Sequence, residues 1–440
     1  MPISPARTAA YEILMRVDQQ DAFASDLLHA PACETLSPSD HRLATELVMS
    51  VLRWRSLLDE QIAKHSSLKL PRLDPEVLTA LRLGTYQLMF LDRIPERAAI
   101  HQSVELVKRA RKRSAAPFVN ALLRKLLDSK PQTAHLGSVS TASELASSFA
   151  HPQWLVERWT QEFGLDVARQ ICDYDQRVPE TALTIRDPAT IGKLETRGVT
   201  LAPGRLLASS HRLTGGDLTR LPVELRDQIA IQDEGSALVA LLLGAGSRIL
   251  DCCAAPGGKT RVLAAANPAA LIIAAELHPH RARLLRSLVT APNLRVIAAD
   301  ARNLALKSAF DHVLVDVPCS GTGTLARNPD IKWRLKPEDL SDLQTRQLAI
   351  LRSAMRHVVS GGTLVYSTCS LESDENEDVV QMALDNTFRL FDCRDRLQQL
   401  QSDGELTWKN PDSLTRGPLL RTIPGVHPCD GFFAAILQKI

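Results

Sequence analysis

The spacing of apolar residues divides the chain into a helical first part and a mixed second part. Up to about residue 130, apolar residues recur at i, i+3 and i+4, as in "SPSDHRLATELVMSVLRWRSLLDEQIAKH", and this period predicts amphipathic helices. Several of these segments begin with Ser or Asp followed by an early Pro, which is typical of helix starts. We therefore expect an all-helical domain over residues 1–135.

The pattern changes twice further along the chain. The polar stretch "KPQTAHLGSVSTASE" at 130–144 predicts a linker. Between 145 and 232, "ETALTIRD" and "RLLASSHRL" are short strand candidates, which predict a small α+β module. From 233 to 440, strand-like runs alternate with helical segments, as in a parallel doubly wound sheet whose ligand site lies at the carboxyl ends of the strands. The predicted fold class is multidomain: an all-α front domain, an α+β middle module and a Rossmann-like α/β domain.

Composition and charge narrow the class of protein. The chain has 440 residues, of which 45% are hydrophobic and 23% are charged, and this length favours more than one core. Its formal net charge is only +2, but residues 1–135 hold more Lys and Arg than Asp and Glu, which favours an anionic partner for the front domain. The apolar runs are shorter than the roughly 20 residues of a membrane span, and the start lacks the apolar core of a signal peptide. We expect a cytoplasmic protein without membrane attachment.

The eight cysteines indicate neither a zinc site nor a disulfide framework, because they are scattered and no pair has CxxC spacing. Two of them each follow a strand-like run: Cys319 in "FDHVLVDVPCSG" and Cys369 in "GGTLVYSTCS". Carboxyl ends of neighbouring parallel strands meet at one edge of the sheet, so both thiols are expected to face one groove. Buried packing is the alternative role, but it explains neither the flanking turns nor the acids predicted on the same rim.

The loop "LDCCAAPGGKT" at 250–260 joins a strand to a helix, and its glycines allow the backbone to approach a ligand. A Walker A loop would need Gly where Cys253 stands, and GxGxxG is absent. Glu276 lies 25 residues after Asp251, near the roughly 20-residue offset of a ribose-binding acid, and an acid after the next strand can accept from an adenine amine. The pattern fits S-adenosylmethionine. The predicted cofactor-binding residues are Cys253, Ala254, Ala255, Pro256, Gly257, Gly258, Lys259, Glu276, Asp300 and Asp316.

Two thiols beside a cofactor that carries a methyl group suit methylation of carbon 5 of a pyrimidine. A thiolate that adds to carbon 6 makes carbon 5 nucleophilic, and a base must then remove the carbon-5 proton before the thiolate can leave. Asp316 can hydrogen-bond the N3/N4 edge of a cytosine and favour the addition. The predicted catalytic residues are therefore Cys369, Cys319 and Asp316.

Three blocks, "LDCCAAPGGKT", "DVPCSGTGTLARNPDIKW" and "YSTCSLESDENE", resemble the signature blocks of the RNA cytosine-5 methyltransferases, the NOL/NOP2/Sun family. The resemblance implies that Cys369 is the nucleophile and that Cys319 assists release of the product. The stretch "RIPERAAIHQSVELVKRARKRSAAPFVNALLRKL" resembles the NusB-like domain of the bacterial RsmB (Fmu/Sun) branch, which implies a 16S ribosomal RNA substrate. The expected protein is a monomer without metal that methylates carbon 5 of one cytosine.

Two alternative functions belong to other classes. A non-catalytic RNA-binding or ribosome-assembly factor on a methyltransferase fold would be favoured by loss of a cofactor acid or of Cys369, and the chain retains them. An amino-group methyltransferase would need an Asn/Asp-Pro-Pro-Tyr block at 316–319, where the chain has Asp-Val-Pro-Cys.

Three further groups of residues receive predictions. Lys259 is expected to position the substrate or the methionine carboxylate. Glu375 and Asn376 are expected to cap a helix. A basic cluster is expected to contact RNA phosphates, and it consists of Lys108, Arg109, Arg111, Lys112 and Arg113.

Overall fold

The computed structural model describes residues 3–20, 22–129, 139–185, 187–307 and 309–440. Within it the chain forms two compact units. Unit 1 comprises Met1–Val178 with Leu325–Leu335, and unit 2 comprises Pro179–Thr324 with Lys336–Ile440. The predicted fold class is confirmed. The linker prediction falls mostly on 130–138, which lies outside the described residues, and the predicted division at 135, 145 and 232 stays a prediction.

Unit 1 is helical, and up to residue 129 the periodicity predicts this. Its helices are α1 (Pro5–Gln20), α2 (Ala24–Leu28), α3 (Pro31–Glu34), α4 (Pro38–Arg53), α5 (Arg55–His65), α6 (Pro75–Phe90), α7 (Glu96–Arg109), α8 (Ala116–Ser129), α9 (Ala142–Ser148), α10 (Gln153–Phe163), α11 (Leu165–Asp175) and the one-turn α17 (Ile331–Arg334), with 3-10 turns at Leu70–Arg72 and Arg113–Ala115. Helix α6 is buried on nearly all sides, including its polar residues Thr79, Arg82, Thr85 and Gln87. Helices α1, α4, α5, α7 and α8 pack around it.

The segment Leu325–Leu335 of unit 1 comes from the middle of the unit 2 sequence and is held by buried polar contacts. Lys332 is only 2% exposed, and its Nζ donates to the carbonyl oxygens of Arg53 at 2.8 Å and Ala150 at 3.0 Å. Trp333 donates from Nε1 to the Leu52 carbonyl at 2.6 Å. These bonds satisfy backbone carbonyls that the neighbouring helix ends leave without intrahelical donors.

The buried Lys332 ammonium should make the stability of unit 1 depend on pH. Burial lowers the pKa of Lys332 to about 7, against an opposing effect of Asp175. Its pKa in the unfolded chain is about 10.4, so the unfolded state binds more protons between these two values. The free energy of unfolding should therefore rise with pH from about 7 to 10, by at most about 1.4 kcal/mol per pH unit.

Lys332→Met should flatten this rise, because the variant has no ammonium to deprotonate. The measurement is urea unfolding at pH 7, 8 and 9, followed by tryptophan fluorescence. Four of the five tryptophans lie in unit 1, so the signal reports mainly on that unit. The exposed Lys64→Met provides the control. Equal pH slopes in wild type and Lys332→Met would contradict a titrating Lys332.

The first part of unit 2 is a small antiparallel sheet, which confirms the α+β module. Its strands are β1 (Ala182–Ile185), β2 (Thr200–Pro203), β3 (Ser210–Gly215) and β4 (Ile229–Ile231), in the order β2-β3-β1-β4, with helices α12 (Thr190–Glu195) and α13 (Val223–Arg226). The strand predicted at 205–213 begins only at Ser210. The preceding backbone N–H groups, those of Arg205, Leu206 and Leu207, instead donate to the Glu234 carboxylate at 2.7–3.0 Å.

The second part of unit 2 contains a large mixed sheet. Its strands are β5 (Arg248–Asp251), β6 (Leu271–Glu276), β7 (Leu294–Ala298), β8 (Phe310–Asp316), β9 (Val358–Thr368), β10 (Phe388–Phe391), β11 (Thr415–Arg416), β12 (Leu419–Arg421) and β13 (Phe433–Lys439). The order is β11-β12-β13-β9-β8-β5-β6-β7, and β10 pairs with β13. Strands β5 to β9 are parallel, as predicted, whereas β10 to β13 are antiparallel additions. A wholly parallel sheet was therefore the wrong expectation.

Helices cover this sheet on both faces. They are α14 (Glu234–Leu242), α15 (Gly258–Ala266), α16 (Pro279–Leu288), α18 (Asp339–Met355), α19 (Glu377–Ala383) and α20 (Cys393–Ser402). Side chains of β8 alternate between two apolar cores, with Leu314 in one core and Val313 and Val315 in the other. Because both faces are covered, the edge formed by the carboxyl ends of the parallel strands is where a ligand can approach.

Candidate active site

A cavity of about 580 Å3 opens at the carboxyl ends of the parallel strands. Strand β6 ends at Glu276, β8 ends at Asp316, and β9 ends one residue before Cys369. The structure thus brings together seven residues of the predicted site, all of which line the cavity: Cys253, Ala255, Glu276, Asp300, Asp316, Cys319 and Cys369.

The loop between β5 and α15 meets the cavity through only part of its length. Cys253 and Ala255 line the cavity, whereas Ala254 is buried in the apolar core. Gly257 has a φ of +116°, and a Cβ there would lie 2.5 Å from Leu285 Cδ1. Glycine at 257 is therefore required by backbone conformation and by packing against α16. A direct cofactor contact by Ala254, Pro256, Gly257 or Gly258 remains a prediction.

Lys259, in the first turn of α15, forms an ion pair with Asp316, with Nζ 2.8 Å from Oδ2. The other carboxylate oxygen of Asp316 accepts a 2.8 Å hydrogen bond from Ser367 Oγ. Burial opposes the charge of Lys259, but the nearby Asp316 charge outweighs it and raises the pKa of the ammonium. The side chain of Asp316 is therefore oriented from two sides. Ser367 was missed by sequence reasoning, although its place two residues before Cys369 in "YSTC" was a usable signal.

Three more carboxylates lie at or just after the carboxyl ends of β5, β6 and β7. Asp251 is buried and accepts from Thr260 Oγ1 at 2.7 Å, and burial raises its pKa to about 7. Glu276 accepts from the His278 N–H at 2.9 Å, and its side chain is 6% exposed. Asp300 lies more openly and pairs with Arg302 at 2.7 Å. That hydrogen bond lowers the pKa of Asp300, which keeps the carboxylate charged at the cavity rim.

The two thiols are in direct contact. Cys319 Sγ lies 3.3 Å from Cys369 Sγ, and the Cys369 N–H donates to Cys319 Sγ at the same distance. The hydrogen bond with Cys369 and the burial of the site raise the pKa of Cys319 well above its ordinary value. Cys319 is thus a protonated thiol at neutral pH and would be a strong base once deprotonated.

The helix-capping prediction is right about position for Asn376, which is the N-cap residue of α19, but neither the Glu375 nor the Asn376 side chain caps the helix. Helix α19 begins at Glu377, and Asn376 precedes it without a side-chain cap. The Asn376 side chain instead accepts from Thr368 Oγ1 at 2.5 Å and donates to the Ser370 carbonyl at 2.9 Å. Both side chains are fully buried, so they act through hydrogen bonds to other residues of unit 2 and not through contacts with solvent.

The predicted RNA-binding cluster lies at the end of α7 in unit 1. Three of its five cations pair with acids: Lys108 with Glu105, Arg109 with Glu12, and Lys112 with Asp74, all at 2.7–2.9 Å. Among the described residues, Arg111 and Arg113 form no such pair.

Arg111 has a φ of +62°, a left-handed conformation that is costly for a residue other than glycine. Its N–H bonds to the Lys108 carbonyl, and the Lys112 N–H bonds to the Val107 carbonyl, both at 3.1 Å. Helix α7 therefore ends in a Schellman motif, with Arg at the position that usually holds Gly. The Arg111 side chain therefore projects from a backbone position that an L-residue occupies only at a cost in free energy.

Across the part of the chain that the structure describes, no helix combines the length and apolar character needed to cross a bilayer. In the same residues, no group of three or more His, Cys, Asp or Glu side chains has an arrangement that could hold a metal ion.

Comparison with known proteins matches two family descriptions to this chain. Residues 238–438 match "16S rRNA methyltransferase RsmB/F", and residues 4–128 match the NusB family. A solved methyltransferase homologue from Pyrococcus horikoshii is 26% identical, with a TM-score of 0.56 over 69% of this chain and 100% of that one.

Two curated relatives match over almost their full length. A Bacillus subtilis protein named probable ribosomal RNA small subunit methyltransferase B is 31% identical, and the match covers 100% of both chains. The Salmonella paratyphi B protein named ribosomal RNA small subunit methyltransferase B is 30% identical, and the match covers 98% of both. The chain therefore belongs to the 16S rRNA methyltransferase RsmB/F family and carries a NusB domain in its N-terminal part.

Proposed function

We propose that this protein transfers a methyl group from S-adenosylmethionine to carbon 5 of one cytosine in 16S ribosomal RNA. The observation that carries the proposal is the 3.3 Å contact between the Cys319 and Cys369 sulfur atoms on one cavity rim. Neither an amino-group transfer nor a purely RNA-binding role requires two thiols in contact at a cavity. Membership of the family supports methylation of ribosomal RNA, and the thiols support the cytosine carbon as its target.

The first step assigns Cys369 as nucleophile and Asp316 as the group that orients the base. The Cys369 thiolate forms a bond to carbon 6, and the electron pair of the 5,6 double bond makes carbon 5 nucleophilic. Asp316 is fixed by Lys259 and Ser367, so its carboxylate can hold the N3/N4 edge of the cytosine. Bound S-adenosylmethionine supplies the electrophilic methyl group that carbon 5 takes up.

The second step assigns Cys319 to product release. After methylation, carbon 5 still carries its proton, and that proton must leave before the carbon–sulfur bond to Cys369 can break. Cys319 first gives up its own proton to solvent at the cavity mouth, and its thiolate then accepts the carbon-5 proton. The 5,6 double bond re-forms, and the Cys369 thiolate departs. The two sulfur atoms are close enough for both to reach one pyrimidine ring.

The residues around the cavity fit S-adenosylmethionine. Glu276 ends β6, which is the position of a ribose-binding acid in this type of sheet, and Asp300 offers acceptors to an adenine amine. Several carboxylates around the cavity also favour a sulfonium cation. Arg281 and Arg346 line the same cavity and provide positive charge for the methionine carboxylate.

The test of the proposal is transfer of a labelled methyl group from S-adenosylmethionine to 16S ribosomal RNA, with the product mapped by bisulfite sequencing. We expect one cytosine to become resistant to bisulfite. Free RNA and assembled 30S subunits are assayed in parallel to identify the form that is the substrate. Label on a base amino group or a ribose, or no label in either form, would overturn the proposal.

Glu276→Ala should weaken S-adenosylmethionine binding by about 1.5–3 kcal/mol, the contribution of hydrogen bonds to a charged group. Affinity for RNA should hardly change, because the side chain acts on the cofactor. Calorimetry on the full chain measures both affinities. Glu195→Ala removes an exposed acid of α12, which is not among the residues lining the cavity, and it serves as the matched control. Unchanged cofactor affinity in Glu276→Ala would contradict the ribose role.

Neutralising the basic cluster should weaken RNA binding and flatten its dependence on salt. The five-fold Gln variant of Lys108, Arg109, Arg111, Lys112 and Arg113 should lose about 0.7 in salt slope for each phosphate contact to single-stranded RNA. Most of this loss should come from the two arginines without acidic partners.

Arg111→Gly separates the charge of this residue from its effect on folding. Glycine relieves the left-handed strain, so the variant should be as stable as wild type or more stable, while RNA affinity falls. Filter binding at several salt concentrations gives the slopes, and Lys64, Lys69 and Arg72 changed to Gln serve as a control on the same unit. A cluster variant that keeps the wild-type salt slope would show that these cations do not contact RNA.

A further inference from the structure

A fully buried carboxylate links the two cysteine loops of unit 2. Glu375 is 0% exposed and lies six residues after Cys369. Its Oε1 accepts from the backbone N–H of Ser320 at 2.8 Å and from Gln347 Nε2 at 2.8 Å. Its Oε2 accepts from the hydroxyl groups of Ser320 and Ser370. The donors are thus the residue directly after Cys319, the residue directly after Cys369, and a side chain of α18.

The same side chains hold the backbone on both sides of each cysteine. Gln347 Nε2 also donates to the carbonyl of Pro318, the residue before Cys319, at 3.0 Å. Asn376 bonds to Thr368 and Ser370, the residues before and after Cys369. Ser320 Oγ and Ser370 Oγ are themselves 3.0 Å apart. Every polar contact of the Glu375 carboxylate therefore involves a group that borders a site thiol or holds its loop.

Stability alone is a poor explanation for this arrangement. Burying a carboxylate costs free energy unless it is paired and hydrogen-bonded, and no Lys or Arg pairs with Glu375 in the described part of the chain. Four neutral donors offset that cost through charge-assisted hydrogen bonds. These bonds form together only when the loops of Cys319 and Cys369 occupy their observed positions, so the carboxylate favours one spacing of the two loops.

We infer that Glu375 is a positioning residue that sets the distance between the Cys319 and Cys369 thiols so that both reach one base. The inference rests on the two-thiol function proposed above and extends it to a residue that contacts neither the base nor the cofactor. Glu375 acts through Ser320 and Ser370, which transmit its position to the two sulfur atoms.

The first test measures thiol spacing without RNA or cofactor. Phenylarsine oxide binds two thiols only when they are close together, so its rate of capture reports on the pair. We compare wild type with Glu375→Gln, which keeps the shape of the side chain but replaces one acceptor oxygen with an NH2 group that cannot accept. Cys369→Ala defines the background from other cysteines. Capture should be several-fold slower in Glu375→Gln.

The second test measures methyl transfer in the same variant. Because small misplacements of reacting groups cost up to about 100-fold in rate, kcat should fall by about 10- to 100-fold. The KM for RNA and the Kd for S-adenosylmethionine should change less than about three-fold. Ser320→Ala and Ser370→Ala each remove one donor and should reproduce part of the loss, so the inference stays testable if Glu375→Gln folds poorly.

Glu377→Gln is the matched control. Glu377 lies two residues further on and pairs with Arg421 at 2.8 Å, and Arg421 also donates to the Leu371 carbonyl at 3.2 Å. This change therefore perturbs the same segment but leaves the four hydrogen-bond donors to Glu375 in place. It should lower the Tm without changing thiol capture. Wild-type capture and wild-type kcat in Glu375→Gln would overturn the inference. Fast capture in a wild-type enzyme that methylates no cytosine would instead overturn the proposed function.

Discussion

Cys369→Ala should abolish methyl transfer and prevent any covalent complex between enzyme and RNA. In the proposed reaction, carbon 5 becomes nucleophilic only while a sulfur atom is bonded to carbon 6, so removal of that sulfur leaves an unreactive ring. Loss of a nucleophile of this kind lowers kcat by a factor on the order of 10⁴ or more. Labelled methyl transfer and denaturing gel electrophoresis measure the two effects.

Two other cysteines, Cys319 and Cys33, allow the effect of Cys369→Ala to be assigned to the nucleophile. Cys319 stays in the cavity in the variant, and its sulfur atom lies close to the position that Cys369 occupied. If the two roles were exchanged, Cys369→Ala would instead trap a covalent adduct between Cys319 and RNA. Either that adduct or retained turnover in the variant would contradict Cys369 as the nucleophile. Cys33→Ala, which removes a buried thiol of unit 1, controls for a general effect of losing a cysteine and should leave turnover intact.

The parallel half of the large sheet was predictable from the sequence because its signals are local and repeated. Each of β5 to β9 is a run of apolar residues next to a helical segment, and an acid or a cysteine follows the run. Because the strands are parallel, their carboxyl ends lie at the same edge of the sheet. The sequence could therefore predict that Glu276, Asp316, Cys319 and Cys369 meet, and the structure places all four on one cavity.

The antiparallel half lacked such signals. Strands β11 and β12 have two and three residues, which is too short for an alternation of apolar and polar positions to be visible. Strand β13 has seven residues, of which the first five are apolar, but nothing local tells whether it pairs with β9 in a parallel or an antiparallel sense. That sense is set by the long connection between them, so it depends on tertiary packing.

The segment Leu325–Leu335 was unpredictable for a different reason. It follows the Cys319 motif directly and contains Lys332, a residue type that is almost never fully buried unless it is paired. A sequence pattern therefore places it on the surface of the catalytic domain, whereas it belongs to unit 1, where three backbone carbonyls accept from Lys332 and Trp333. The donors are local, but their partners lie about 180 to 280 residues away along the chain.

The misassigned Glu375 and Asn376 show the limit of motif reasoning at a site. An acid and an amide just before a helix are ordinary capping residues, and the local pattern contains nothing else. Their partners, Ser320 and Thr368, become neighbours only when β8 and β9 lie side by side. Positioning residues that act across strands can therefore be recognised only in the structure, whereas functional residues at strand ends can be predicted from the sequence.

Cys319→Ala should leave the first steps of the reaction intact and trap the enzyme on its RNA. Without this thiol, the carbon-5 proton of the methylated base loses the acceptor that the proposed mechanism assigns to it, so the bond between Cys369 and carbon 6 cannot break at its normal rate. A denaturing gel should show a slowly migrating adduct that forms only when S-adenosylmethionine is present. Labelled methyl groups should remain on the protein–RNA band.

The contact between the two sulfur atoms explains why the smaller change Cys319→Ser should trap the enzyme as well. The hydrogen bond with Cys369 and burial already raise the pKa of the Cys319 thiol. A hydroxyl in its place is a far weaker acid still, so the alkoxide needed to accept the proton hardly forms. The double variant Cys319→Ala/Cys369→Ala should give no adduct, because it lacks the sulfur that bonds to carbon 6. Product release at the wild-type rate from Cys319→Ala, with no adduct on the gel, would remove Cys319 from the mechanism and require another base beside the ring.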